Sequence, residues 1–116
     1  MNKKEIQFKE LLKRIKEFSQ NREWSQFHDP KNLALSLLLE SSEVLELYQW
    51  SKDNQLNERR AHKIKDELAD VFYWLIMLSN HYDIDLLDAL NDKMLENEKK
   101  YPVEKSKGSS AKYNEL

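Results

Sequence analysis

The sequence predicts an all-α protein, a four-helix bundle, and three observations predict it. Glycine occurs once and proline twice in 116 residues, too little turn chemistry for an all-β or doubly wound fold. Apolar residues recur at three- and four-residue spacing through most of the chain, the signature of helices with a core-facing stripe. Hydrophobic residues make up 40% and charged residues 34%, so long helices can bury one face and solvate the other. The length suits one domain with a core of several helices.

The first helix is expected from about Lys4 to Asn21, with Phe8, Leu11, Leu12, Ile15 and Phe18 along a narrow apolar stripe. Arg22 to Asp29 reads as a connector crowded with Trp24, Phe27 and His28. Asp29-Pro30 then opens a second helix, because aspartate caps and proline fits the first turn. That helix is expected to run to Trp50. Leucine, alanine and valine surround it on nearly every side, as in a central, buried helix. Ser51 to Asn57 is polar and reads as a loop. The third helix is expected from Glu58 to His81, and the fourth from an Asp85 cap to about Lys100, with Leu86, Leu90 and Met94 inward. Pro102 ends it. The division expected is therefore a helical domain over residues 1–101 and a flexible, basic tail over residues 102–116.

Composition excludes several chemistries. There is no cysteine, hence no disulfide, thiolate metal site or cysteine nucleophile. The start, MNKKEIQFKELL, lacks the apolar core of a signal peptide, and no apolar run approaches membrane-spanning length, so a soluble, cytoplasmic chain with no membrane partner is expected. The net charge of −2 is mixed along the chain, which disfavours general nucleic-acid binding.

Two carboxylate pairs carry the functional signal: Glu40-x-x-Glu43 in the second helix and Glu67-x-x-Asp70 in the third. Residues three apart on a helix lie about 60° apart around its axis, so each pair points one way. Glu40 and Glu43 share a face with Leu33, Leu37, Val44 and Leu47, while Ile64, Val71, Trp74, Leu75 and Leu78 flank Glu67 and Asp70. The acids thus interrupt apolar stripes. Packed face to face, the two helices would gather four negative charges, each costing several kcal/mol to desolvate without a partner. A hard divalent cation is the simplest partner, and all-oxygen ligation suits magnesium or manganese. The competing reading turns both faces outward, where Arg59, Arg60 or Lys63 would pair with the acids. No Glu-x-x-His occurs, which argues against a di-iron bundle.

Aromatic and basic residues add to this. Among Trp24, Trp50 and Trp74, Trp50 stands at the C-terminal end of the first acidic helix and Trp74 one turn beyond Asp70, where a ring suits base stacking, and His28 is singled out among the histidines by its aromatic neighbours. Lys93, Asn97 and Tyr101 recur every four residues on one side of the fourth helix and could meet phosphate oxygens.

The chain resembles the all-α nucleoside triphosphate pyrophosphohydrolases of the MazG type, and within them the dCTP pyrophosphatase subfamily. The stretches that carry the resemblance are REWSQFHDPKNLALSLLLESSEVLELYQW, KDELADVFYWL and KMLENEKKYPVEKSKGSSAKY. It implies magnesium ligands at Glu40, Glu43, Glu67 and Asp70. It implies nucleotide contacts at Trp24, His28, Trp50 and Trp74, with Lys93, Asn97 and Tyr101 at the phosphates and site rim. It implies hydrolysis of a nucleoside triphosphate to monophosphate and pyrophosphate by a homodimer or homotetramer. The alternatives are a broad housecleaning pyrophosphatase and a non-enzymatic helical assembly module. Leu39 and Ser42 stand where related sequences often carry glycine, which predicts a tighter, stiffer second helix. Ile15 stands where some relatives use a histidine for the substrate.

Overall fold

A computed structural model describes residues 1–116 as five α-helices with short 3₁₀ turns and no strands. The helices are α1 (Lys3–Asn21), α2 (Pro30–Glu46), α3 (Ile64–His81), α4 (Leu86–Lys100) and a single-turn α5 (Val103–Ser106). The chain divides into two compact units, Met1–Asp83 and Ile84–Leu116.

In the first unit, α1 starts with a capping box. Asn2 Oδ1 accepts the Glu5 N–H at 2.9 Å and Glu5 Oε2 accepts the Asn2 N–H at 3.0 Å, which satisfies two otherwise orphaned donors. A 3₁₀ turn over Trp24–Phe27 follows, entered through Glu23 in the left-handed region at φ 55°. Asp29 caps α2 by accepting the Asn32 N–H at 2.8 Å, with Pro30 in the first turn. Packing is chiefly α2 on α3, with Phe8 of α1 edge-on to Phe72 of α3 at 6.5 Å. Ile15, Leu33, Leu47 and Ile76 form the buried core, Leu33 and Ile76 at 2% and 0% exposure.

Three expectations need correction here. Helix α2 ends at Glu46, four residues before Trp50, because its last carbonyls find partners from downstream. The Glu46 carbonyl accepts from Arg60 Nη1 at 3.2 Å, and the Leu47 carbonyl accepts the Asn57 N–H at 2.7 Å. Helix α3 begins at Ile64 rather than Glu58, since residues 58–60 form turns and Ala61–Lys63 a 3₁₀ turn. Nor is α2 buried all round. Leu38, Leu39 and Leu45 are 65%, 63% and 71% exposed on the single chain, so Leu39 adds no tight packing within it.

The second unit opens with Asp85, whose Oδ1 accepts the N–H groups of Leu87 and Asp88 and so caps α4. Leu90 and Met94 are exposed on the single chain rather than inward. Pro102 closes α4 and precedes α5. Tyr113 lies edge-on to Tyr101 at 6.3 Å and under the Lys100 ammonium at 4.7 Å, so the C-terminal residues carry defined contacts.

Candidate active site

Helices α2 and α3 bring together carboxylates that lie some thirty residues apart in sequence. Oxygens of Glu40, Glu67 and Asp70 all lie within 4.8 Å of one another. Glu43 neighbours Glu40 and Glu67 but is not one of the three whose oxygens meet this closely. Glu67 stands in the first turn of α3, where the helix N-terminus favours negative charge. As residues Glu40 and Glu67 are only partly buried, yet one oxygen of each, Oε2, is closed to solvent and has no hydrogen-bond partner. Such orphaned acceptors are costly and need an explanation.

The electrostatics follow from this crowding. Burial, the adjoining Glu43 carboxyl and the charges of Glu43 and Asp70 raise the Glu40 pKa, while the Trp74 indole N–H acts to lower it. The Glu43 carboxyl raises that of Glu67 most, followed by burial and the charges of Glu43, Asp70 and Glu40. Like charges in a shared site disfavour full ionisation. The chain's ion pairs, Lys13–Glu17, Lys93–Glu96 and Lys100–Glu96, include none of the four acids. The surface-pair reading with Arg59, Arg60 or Lys63 is therefore not what the structure forms. Arg60 and Lys63 instead line, with Glu43, Glu46, Leu47 and Glu67, a cleft of about 250 Å³.

A run of rings joins the acids to the connector. Trp74, one turn beyond Asp70, lies edge-to-face with His28 at 5.7 Å and with Tyr73 at 5.1 Å. Tyr73 meets Phe18 at 6.4 Å, and Phe18 meets Trp24 at 5.6 Å. The Arg22 guanidinium covers the Phe18 ring at 3.8 Å. Trp24, His28 and Trp74 thus belong to one cluster. Trp50 does not join it: it stands 84% exposed in the turn after α2, at φ 65°. Lys93, Asn97 and Tyr101 lie on α4 of the second unit. There Lys93 Nζ is 3.3 Å from Glu96 Oε2, and the Tyr101 N–H donates to the Asn97 carbonyl at 2.8 Å.

Sequence reasoning missed Tyr73 and Ser19. Ser19 is buried on α1, and its Oγ lies 3.2 Å from His28 Nδ1. The available signal was its place one turn after Ile15, a lone hydroxyl on an apolar stripe.

The site's donor set is all oxygen, and its two orphaned acceptors suit a hard divalent cation.

The model of the MazG-like family matches residues 35–116. The chain is 40% identical over 107 residues to mouse dCTP pyrophosphatase 1 and 38% identical over 105 residues to the human protein of that name. In both cases 86% of the chain is matched, and it spans 62% of the relative's length. The crystal structure of a pyrophosphatase from Archaeoglobus fulgidus superposes with a TM-score of 0.76 at 38% identity, covering 83% of this chain and 93% of that one. The family model's match over residues 35–116, with likeness of sequence and of fold over most of the chain, leads to one conclusion: the chain belongs to the MazG-like family.

Proposed function

We propose that the chain is a magnesium-dependent nucleoside triphosphate pyrophosphohydrolase that acts on dCTP or modified dCTP in cleansing the nucleotide pool. The observation that carries this reading is the convergence of Glu40, Glu67 and Asp70 oxygens within 4.8 Å beside the Trp74–His28 pair. The dCTP pyrophosphatases of mouse and man support the substrate class.

Glu40, Glu43, Glu67 and Asp70 would hold magnesium, with manganese as a substitute, and the bound cation would neutralise charge on the triphosphate. Glu40, raised in pKa and next to the Trp74 indole, orients the attacking water and takes its proton. The new bond joins that water oxygen to phosphorus; the anhydride bond breaks, giving nucleoside monophosphate and pyrophosphate. Trp24, His28 and Trp74 contact the nucleoside, and Trp50 offers an exposed ring for stacking. Lys93, Asn97 and Tyr101 donate to phosphate oxygens, Lys93 to the leaving pyrophosphate.

Assembly as a homodimer or homotetramer is part of the same reading. Exposed Leu38, Leu39 and Leu45 on α2 form an apolar face of the kind that subunits cover.

The test is pyrophosphate release from a panel of canonical and 5-substituted triphosphates, with magnesium and with chelator. Magnesium-dependent release led by dCTP or its modified forms supports the whole reading. Equal release from all triphosphates keeps the hydrolase and discards the base preference. No release by folded, magnesium-loaded protein favours a non-enzymatic assembly module.

A further inference from the structure

Ser19 is 3% exposed, and the hydrogen bond its hydroxyl makes is to a ring nitrogen rather than to its own helix. Three other helical serines of the first unit turn back onto carbonyls: Ser41 to Leu37 at 2.8 Å, Ser42 to Leu39 at 2.6 Å and Ser79 to Ile76 at 2.8 Å. Ser19 instead reaches from α1 to His28, nine residues on, with Oγ 3.2 Å from Nδ1.

The direction of that bond follows from what burial permits. If Nδ1 carried the proton, Ser19 would accept it, and the serine's own proton would be left without an acceptor in a closed position. A buried unsatisfied donor is unfavourable by more than a normal hydrogen bond contributes. The arrangement that satisfies both groups has the Ser19 O–H donating to the Nδ1 lone pair. A neutral imidazole with Nδ1 as acceptor carries its proton on Nε2. The ring is fixed in orientation as well. Trp74 meets it at an interplanar angle of 88°, and the His28 backbone N–H donates to the Ser25 carbonyl at 3.2 Å, one residue ahead of the α2 cap.

We infer that Ser19 is a positioning residue that holds His28 in the Nε2–H tautomer, so that the opposite ring edge presents an N–H donor to an acceptor oxygen of the bound nucleotide. The identity of the acceptor rests on the proposed hydrolase function; the tautomer does not. An acceptor oxygen can come from a base carbonyl or from the sugar and phosphates, and the kinetics below separate the two.

The test begins with long-range ¹H–¹⁵N correlation spectra of the whole chain at about pH 8, where imidazoles are neutral. The wild type is expected to show His28 protonated at Nε2 alone. Ser19→Ala is expected to give a mixture of tautomers, and Ser19→Thr, which keeps a hydroxyl, to restore one. In turnover assays Ser19→Ala is expected to raise KM roughly fivefold, the size of one hydrogen bond, with kcat held within about twofold. A rise confined to some bases identifies a base carbonyl as the acceptor; the same rise for every base identifies a sugar or phosphate oxygen. In a His28→Ala background, removing the Ser19 hydroxyl should add no further loss. A wild-type ring protonated at Nδ1, or a Ser19→Ala spectrum identical to wild type, would overturn the assignment. An Nε2–H ring in a folded chain that hydrolyses no triphosphate would overturn the nucleotide as acceptor, and the hydrolase reading with it.

Discussion

Glu40 on α2 and Glu67 on α3 each hold one carboxylate oxygen closed to solvent and without a hydrogen-bond partner, and both residues bring an oxygen within 4.8 Å of the same third carboxylate, Asp70. The fold sets this strain between two helices that it must pack to bury Leu33, Leu47 and Ile76.

Stability of the metal-free chain should fall as pH rises through the weakly acidic range. Both carboxyls are raised above their ordinary value of 4.5, so the folded state binds protons more tightly than the unfolded one. The resulting stabilisation is fully present below 4.5 and is lost as pH climbs through the raised values. Thermal unfolding in chelator across that range checks it; a rising melting temperature over the same interval would contradict the assignment.

Magnesium should reverse that trend. A cation that binds only the folded state at about a hundred times its Kd contributes about 2.7 kcal/mol. The melting temperature should rise with magnesium, and Glu67→Gln should blunt the rise. Protons compete for the same oxygens, so the magnesium shift should shrink toward acid pH.

Trp50 offers a separation of stability from binding. A non-glycine residue in the left-handed region is strained by roughly 1–2 kcal/mol, and this ring is exposed. Trp50→Gly should leave the melting temperature unchanged or raise it slightly, because relief of strain offsets glycine's greater unfolded-state freedom. Nucleotide KM should rise in the same variant if the ring stacks on the base. An unchanged KM would remove Trp50 from the site.

The apolar face of α2 predicts self-association. Sedimentation should give a mass of two or four times 14.0 kDa. Leu38→Lys with Leu45→Lys should shift it toward one chain, since charges in a covered apolar face lack partners. A monomeric wild type at micromolar concentration would contradict the proposed assembly.

Local signals made much of this fold legible in the sequence. The Asp29-Pro30 and Asp85 caps act within three residues, and both helices start where they were expected. The period of α1 fixed its extent to within a residue. The end of α2 and the start of α3 were not legible, because the bonds that shape the segment between them are distant in sequence: Asn57 reaches Leu47, and Arg60 reaches Glu46. Periodicity placed Glu40, Glu67 and Asp70 on facing sides, since the acids break apolar stripes that had to meet. It could not show that an α2 hydrophobic all round is left partly uncovered, as Leu38 and Leu45 are. Ser19 stayed hidden because a lone hydroxyl on an apolar stripe gains a role only once its partner, His28, is placed in space.

The most direct test is pyrophosphate release by wild type, Glu40→Gln, Glu67→Gln and Asp70→Asn on the same triphosphates with saturating magnesium. These changes keep side-chain size and remove charge. Turnover should fall by about two orders of magnitude or more in each, with helical content unchanged and metal-free stability equal or higher. Wild-type rates in all three folded variants would show that the carboxylate cluster is not the hydrolytic centre.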